Sequence, residues 1–165
     1  MGYERITDDK QFDGYVRDSH IYRYKVADKF IEPDDVVLDI ACGSGYAKDL
    51  MKGKYIGVDK YNFCSNIVVD LNTWEANFDY DVAVCIETIE HLKDYTQLVK
   101  NLTEAKKRFV ISTPIVPTKH RNEFHLHDFT MSELKTMFKA YKLIHSEVQD
   151  DLYGILVYET NSNNN

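Results

Sequence analysis

The sequence predicts an α/β fold built on a mostly parallel sheet. Two observations lead to this prediction. Apolar segments of strand length alternate with helical segments, and three successive strands, beginning at Val36, Lys54 and Ser65, each lead into a polar loop. The 165 residues, of which 44% are hydrophobic, suffice for one core. We therefore predict a single domain over residues 1–160, followed by a disordered polar tail at 161–165.

The first half of the chain predicts a helix and then three strands. Helical periodicity covers about Ile21–Ile31 and ends before Pro33, because proline cannot continue a helix. A further helix is expected near Tyr46–Met51, between the first strand and the second. Only seven residues separate Asp59 from Ile67 in the third strand, whereas a parallel crossover normally needs a dozen or more. We therefore expect an abbreviated second crossover.

The second half predicts alternating strands and helices that end in a hairpin. A strand at 80–86, apolar enough to be buried on both faces, precedes a helix at about 95–105 and a strand at 108–112 that Pro114 ends. Thr130 and Glu133 form a capping-box pattern that opens an amphipathic helix, with Leu134, Met137 and Phe138 directed inward. The last two strands are expected near 143–148 and 154–159.

A glycine-rich loop follows the first strand. Gly43 and Gly45 lack a Cβ atom, so the backbone there can turn tightly and approach a ligand. A dinucleotide fingerprint would place Gly or Ala three residues later, where this chain has Lys48. The loop therefore predicts a nucleoside cofactor other than NAD.

Acidic residues end the next two strands. Asp59 lies where a ribose diol needs an acceptor, and Asp70 is followed by Leu71, which suits the edge and face of an adenine. Ligands of open α/β sheets bind at the carboxyl ends of the strands. These loops are therefore expected to line one crevice.

The motif Val37–Gly45 resembles the first motif of the class I S-adenosylmethionine-dependent methyltransferases, and the resemblance covers most of the chain. It implies a Rossmann-like methyltransferase fold, a compact seven-stranded sheet that is mostly parallel with one antiparallel strand. It also implies that Asp39 orders the glycine loop or lies near the sulfonium, and that Arg23 binds the cofactor carboxylate. The full set of expected cofactor-binding residues is Arg23, Asp39, Ala41, Gly43, Gly45, Asp59, Lys60, Asp70, Leu71 and Glu87.

A second group of polar residues, Glu87, Glu90 and His91, follows the fourth strand. If these residues begin a helix, offsets of three and four place all of them on one side of a turn. Carboxylates with imidazole suit Mg²⁺, Mn²⁺ or Zn²⁺, and His125 is the candidate for a further ligand from the loop after the fifth strand. Without a metal, the acids could serve the helix dipole, and His91, His125 or His127 could act as the catalytic base.

This Glu-x-x-Glu-His pattern with a distant histidine resembles the metal sites of two methyltransferase branches. One methylates the 3′-terminal ribose of small RNAs, and the other contains the ubiquinone-pathway (type 11) O-methyltransferases. Both branches act on adjacent hydroxyls, whose pKa a divalent ion lowers.

Composition limits the kinds of binding partner and the cellular compartment that we expect for this protein. A net charge of −7 offers no basic face for nucleic acid, and no apolar run is long enough to cross a bilayer. Three cysteines, Cys42, Cys64 and Cys85, form no CxxC pair, which favours free thiols in the cytoplasm. No secretory signal is visible at the N-terminus.

These observations together predict an S-adenosylmethionine-dependent methyltransferase that acts on an oxygen of a small molecule, with a divalent metal as a candidate assistant. An RNA 3′-terminal ribose methyltransferase is the alternative enzyme. A non-catalytic cofactor-binding partner or regulator is the alternative from another class of protein.

Overall fold

A seven-stranded mixed sheet forms the centre of the molecule. The computed structural model describes residues 14–62 and 65–160. The elements in chain order are α1 (Gly14–Asp28), β1 (Val36–Ile40), a 3₁₀ turn (Tyr46–Asp49), β2 (Lys54–Asp59), β3 (Ile67–Val68), β4 (Val82–Ile86), a second 3₁₀ turn (Ile89–His91), α2 (Thr96–Thr103), β5 (Arg108–Pro114), α3 (Met131–Met137), β6 (Lys142–Gln149) and β7 (Tyr153–Glu159).

The strand order is β3-β2-β1-β4-β5-β7-β6. All neighbouring pairs from β3 to β5 are parallel, and β7 runs antiparallel to both β5 and β6. The predicted mostly parallel sheet with one antiparallel strand is therefore confirmed. The order reverses between β1 and β4, so the loops after these two strands flank the crevice where α/β proteins bind ligands.

The abbreviated second crossover is also confirmed. β2 pairs in parallel with β3 across residues 60–66, of which 63 and 64 lie outside the described residues. Asn66 makes the tight connection possible, since its side chain accepts the Gly57 N–H at 2.8 Å and its own N–H donates to the Gly57 carbonyl at 2.8 Å. A Cβ atom at Gly57 would lie 2.9 Å from Cys42 Sγ, so a larger residue there would have to displace neighbouring side chains.

Several predicted boundaries were wrong. The first helix ends at Asp28 and continues only as turns to Ile31, and the third strand has two residues instead of six. The segment predicted as a helix near 46–51 is the 3₁₀ turn Tyr46–Asp49. The reason is spatial: the chain must reverse at Gly53, whose φ is +85°, to enter β2 one residue later.

Two apolar layers enclose the sheet. On one face, Leu98 and Leu102 of α2 and Phe138, which directly follows α3, pack with Phe109 and Tyr158 of the sheet. On the other face, α1 packs against alternate residues of β1, β4, β5 and β7. Every residue of β4 is buried, as predicted for a central strand.

None of the helices within residues 14–62 and 65–160 combines the length and the apolar character that a membrane span requires.

The capping box of α3 is present as predicted, and it generates a stability test. Thr130 Oγ1 accepts the Glu133 N–H at 3.2 Å, and the Glu133 carboxylate accepts the Thr130 N–H at 2.8 Å. Thr130→Ala should lower the free energy of unfolding by about 1 kcal/mol in urea denaturation. The matched change Ser132→Ala, at an exposed position of the same helix, should stay within about 0.5 kcal/mol of wild type. Equal losses in both variants would contradict a role for the cap.

Candidate active site

The loop after β1 has three left-handed residues, Ala41 (φ +66°), Gly43 (φ +56°) and Gly45 (φ +73°). Two of its N–H groups, those of Ala41 and Cys42, donate to the carbonyl of Val58 at 2.8 and 3.0 Å, which binds the loop to β2. A left-handed alanine costs roughly 1 kcal/mol and commonly occurs where a backbone must meet a ligand. The loop is thus held in a strained, ligand-accessible shape.

Asp59 completes this attachment. Its side chain accepts the Gly43 N–H at 3.0 Å through Oδ2 and the Tyr61 N–H at 3.0 Å through Oδ1, and the residue is only 2% exposed. The acid that orders the glycine loop is therefore Asp59, at the end of β2.

Of the two roles expected for Asp39, ordering of the glycine loop is not the one that the structure shows. Asp39 is fully buried, and its carboxylate accepts hydrogen bonds from Tyr55 Oη at 2.7 Å and Tyr24 Oη at 3.1 Å instead of ordering the loop. Burial raises the pKa of Asp39 to about 7, although the two tyrosine hydroxyls oppose this change. The reason is the register: Asp39 pairs with Gly57 within the sheet, so its side chain lies on the face that holds Tyr55 and α1.

Other expected cofactor residues surround Asp59. Lys60 and Asp70 are exposed, and the Asp70 carboxylate accepts the N–H and the side-chain amide of Asn72, which lowers its pKa. Leu71 is 7% exposed and packs into the core. An apolar surface and two polar groups thus lie beside the carboxyl end of β2.

Arg23 is held beneath the surface by α1. Its guanidinium donates to Ser19 Oγ at 2.9 Å and to Gln149 Oε1 at 2.8 Å, and it lies 4.2 Å from the centre of the Tyr153 ring. The residue is fully buried. Its Nε lies 3.9 Å from a carboxylate oxygen of Glu87, too far for a hydrogen bond.

Glu87 lies on the Arg23 side of the site. Its backbone is left-handed (φ +52°), and its side chain accepts the Ser112 hydroxyl at 2.7 Å. Burial raises the pKa of this carboxyl, and Arg23 and Ser112 oppose the change. The predicted helical turn that would join Glu87 to Glu90 was wrong, because the 3₁₀ turn begins only at Ile89. Glu87 therefore lies apart from Glu90 and His91.

Glu90, His91 and His125 do come together. One ligand atom from each lies within 4.8 Å of the others, and the two imidazole rings are 4.7 Å apart at 83°. We name these three residues the acid–histidine cluster.

Neighbouring groups orient each member of the acid–histidine cluster. Glu90 accepts the Thr113 hydroxyl at 2.8 Å, His91 Nδ1 lies 3.1 Å from the Phe124 carbonyl, and His125 Nδ1 lies 2.6 Å from Thr118 Oγ1. Burial lowers the pKa of His125, which favours the neutral imidazole. Such outer contacts are typical of histidines that bind metals.

His127 lies outside this cluster. Its Nε2 is 2.9 Å from the Leu92 carbonyl, and its ring packs edge-on against Tyr95 at 5.1 Å. The Glu90 carbonyl accepts the N–H groups of Leu126 and His127 at 2.7 and 3.2 Å, which joins this loop to the 3₁₀ turn after β4. Among the three histidines predicted as catalytic, only His91 and His125 share a site.

Sequence reasoning did not assign Tyr55, His20 or Tyr46 to the site. The sequence pattern could have identified Tyr55. Residues 55, 57 and 59 are spaced two apart along β2, so they lie on the same face of the sheet as Asp39. His20 Nδ1 lies 3.2 Å from Tyr46 Oη, and burial, with a contribution from Arg23, lowers the pKa of His20 to about 3. No sequence pattern joins those two residues, which come from α1 and from the 3₁₀ turn after the glycine loop.

The family model that matches this chain describes a methyltransferase domain and covers residues 17–152. A comparison with curated proteins finds no match. Among solved structures, the PH0226 protein of Pyrococcus horikoshii has a TM-score of 0.69 at 17% identity, over 94% of this chain and 95% of that chain.

Two further similar structures contain S-adenosylhomocysteine. The 1,6-didemethyltoxoflavin-N1-methyltransferase of Burkholderia thailandensis has a TM-score of 0.69 at 14% identity, over 90% of this chain and 81% of that chain. The magnesium protoporphyrin IX methyltransferase of Synechocystis has a TM-score of 0.66 at 12% identity, over 94% and 91%. These likenesses show that the fold is shared.

The burial of Asp39 predicts a pH effect on stability. Because the pKa rises on folding from 3.8 to about 7, the folded state keeps a proton that the unfolded chain releases, so stability should fall as pH rises through this range. Relative to Asp39→Asn, the free energy of unfolding of wild type should decrease by roughly 2 to 3 kcal/mol from about pH 5 to about pH 8. Urea denaturation at both values measures this difference. Parallel pH curves for the two proteins would contradict the inference.

Proposed function

Because the chain belongs to the methyltransferase domain family, we propose that it transfers a methyl group to an oxygen of a small molecule with the help of a divalent metal. The family makes it an S-adenosylmethionine-dependent methyltransferase. Transfer to an oxygen, a small-molecule acceptor and assistance by a metal are our proposal. The main observation that supports it is the acid–histidine cluster.

The residues at the carboxyl edge fit S-adenosylmethionine. Arg23 Nε is buried and, among the described residues, has no hydrogen-bond acceptor, so it suits the carboxylate of the methionine part. The backbone at Gly43 and Gly45 can approach that part closely. Asp59 would accept a ribose hydroxyl in exchange for one of its backbone contacts, with Leu71 toward the adenine. When bound, the cofactor supplies an electrophilic methyl group on sulfur.

The acid–histidine cluster fits a divalent cation. Two imidazoles and one carboxylate form a mixed donor set, which suits Zn²⁺ or Mn²⁺ and, with added water, Mg²⁺. A cation there would lower the pKa of an acceptor hydroxyl and orient adjacent oxygens. If no cation binds, the neutral His125 can accept the proton of the hydroxyl itself.

The protein contributes positioning more than covalent chemistry. Methyl transfer is an in-line displacement, so the acceptor oxygen must be held about 3 Å from the methyl group with water excluded. The segment from Ile115 to Asp128 supplies a wall beside the cluster, and its Phe124 and Leu126 side chains are 43% and 39% exposed. Two exposed apolar side chains in an otherwise polar segment suit a molecule that carries both apolar groups and hydroxyl groups.

The small acceptor has support from similar proteins. The Burkholderia and Synechocystis enzymes act, by their names, on 1,6-didemethyltoxoflavin and on magnesium protoporphyrin IX. The first is an N-methyltransferase, so the preference for oxygen in this chain depends on the acid–histidine cluster alone. Free, buried Cys42 and Cys85 agree with a reducing compartment, and we propose the cytoplasm.

An RNA 3′-terminal ribose is the second candidate acceptor, because its adjacent hydroxyls would suit the same cluster. The net charge of −7 opposes binding to a phosphate backbone. Methylation of a short RNA that weakens steeply with added salt would favour this alternative over a small molecule.

Cofactor binding gives the first functional test. Asp59→Asn should weaken S-adenosylhomocysteine binding by about tenfold or more in calorimetric titration, because the acceptor for the ribose loses its charge. Asp79→Asn is the matched control at an exposed acid that pairs with Lys106, and it should bind as wild type does. Thermal unfolding of both variants checks that the glycine loop remains folded. Unchanged affinity in Asp59→Asn would contradict its role.

Metal binding gives the second functional test. Mn²⁺ titrated into metal-free protein saturated with S-adenosylhomocysteine should bind at one site, and His125→Ala should abolish this binding because it removes one of three ligands. His127→Ala, in the same loop but outside the cluster, should leave it intact. If wild type binds none of Mn²⁺, Mg²⁺ and Zn²⁺, the proposal of metal assistance is contradicted. His91 and His125 would then remain as candidate bases.

A further inference from the structure

The outer strand β6 ends the sheet on one side, and the described residues include no strand beyond it. It is eight residues long, whereas β3 at the opposite edge has two. An edge strand of this length presents a row of backbone N–H and C=O groups that can pair with another strand. Natural proteins cover, shorten, charge or bulge such an edge, and β6 carries a bulge and the charged residues Lys142 and Glu147 while keeping its eight-residue length.

A β-bulge makes β6 symmetric about Ser146. In the ladder with β7, Ser146 pairs with Leu156, and His145 and Glu147 lie one step to either side. The next paired positions outward are Leu143 on one side and Val148 on the other, because Ile144 is the extra residue of the bulge and has no paired position in β7. The third step holds Lys142 and Gln149.

This symmetry makes β6 complementary to itself. If a second β6 paired in antiparallel fashion about Ser146, each Leu143 would face the other copy's Val148, and each His145 would face its Glu147. Leu143 and Val148 are 38% and 48% exposed and are the large exposed hydrophobic residues among those described in β6. Opposed apolar pairs and acid–imidazole pairs are the contacts that stabilise antiparallel strands.

The two faces of β6 agree with this register. Ser146 lies on the α3 side, since its Oγ is 3.9 Å from Met131 Sδ, and Leu143 and Val148 lie on the same side of the ladder. His145 lies on the α1 side, where its ring is 5.3 Å from that of Phe30 and its Nε2 is 2.8 Å from the Glu147 carboxylate. Each proposed cross-strand pair therefore joins residues on one face, as pleating requires.

We infer that β6 is a homodimer interface, in which a second copy of this chain extends the sheet through antiparallel β6–β6 pairing about a two-fold axis at Ser146. Such an interface is isologous, because the same surface serves both copies, and it closes after two subunits. It lies at the β6 edge, away from the acid–histidine cluster and the glycine loop, so it leaves both open to ligands.

A symmetric cross-link tests the geometry. Directly opposed residues of antiparallel strands have Cα atoms about 4.5–5.5 Å apart, within the range that a disulfide can span. Ser146→Cys, in a Cys64→Ser background, should form a covalent dimer on mild oxidation. Ser132→Cys in the same background is the matched control on exposed α3 and should not. Equal cross-linking in both proteins would overturn the proposed axis.

Sedimentation equilibrium tests the association itself. Wild type should show a reversible monomer–dimer equilibrium, which Leu143→Glu or Val148→Lys alone should weaken about tenfold or more. The double variant should regain dimerisation, because the carboxylate introduced at position 143 would then face the ammonium group introduced at position 148 of the other copy. Circular dichroism confirms that each variant is folded. A wild type that stays monomeric up to about 1 mM, or a dimer that neither change affects, would overturn the interface.

Discussion

The carboxyl edge of the sheet depends on the attachment of the glycine loop to β2. Three consecutive N–H groups, those of Ala41, Cys42 and Gly43, donate to the Val58 carbonyl and the Asp59 carboxylate. These bonds hold backbone conformations that an isolated peptide would rarely adopt, and a strained loop persists only where its surroundings determine it. The glycine loop, which we propose to bind the cofactor, is therefore held by β1 and β2 together.

Helix α1 joins this loop to the far side of the sheet through polar groups. Tyr24 donates to Asp39 of β1, and Arg23 donates to Gln149 of β6 while its charge lies near Glu87. A buried arginine is costly unless hydrogen bonds and an opposite charge compensate it. The helix is thus positioned by specific polar contacts as well as by apolar burial.

The left-handed backbone at Glu87 divides the polar residues after β4 between two centres. Glu87 faces Arg23 and Ser112, whereas Glu90 and His91 turn toward His125. The loop after β5 reaches the second centre because the Glu90 carbonyl accepts two of its N–H groups. The two centres are consequently chemically distinct, one with an arginine beside a carboxylate and the other with two imidazoles beside a carboxylate.

Sequence by itself determined the sheet, its short second crossover and the identity of the glycine loop, because apolar periodicity, connection length and the absence of Cβ atoms act locally. It also determined the capping box of α3 and the pairing of His91 with His125 as candidates. Only tertiary structure decided that Asp59 orders the loop, that Asp39 bonds to two tyrosines instead, and that Glu87 lies apart from the acid–histidine cluster. Each of these features depends on strand register or on a single backbone angle. The hydrophobic periodicity of strands (two residues) or helices (3.6 residues) encodes neither of them. The bulge that makes β6 self-complementary belongs to the same class, since it exists only relative to β7.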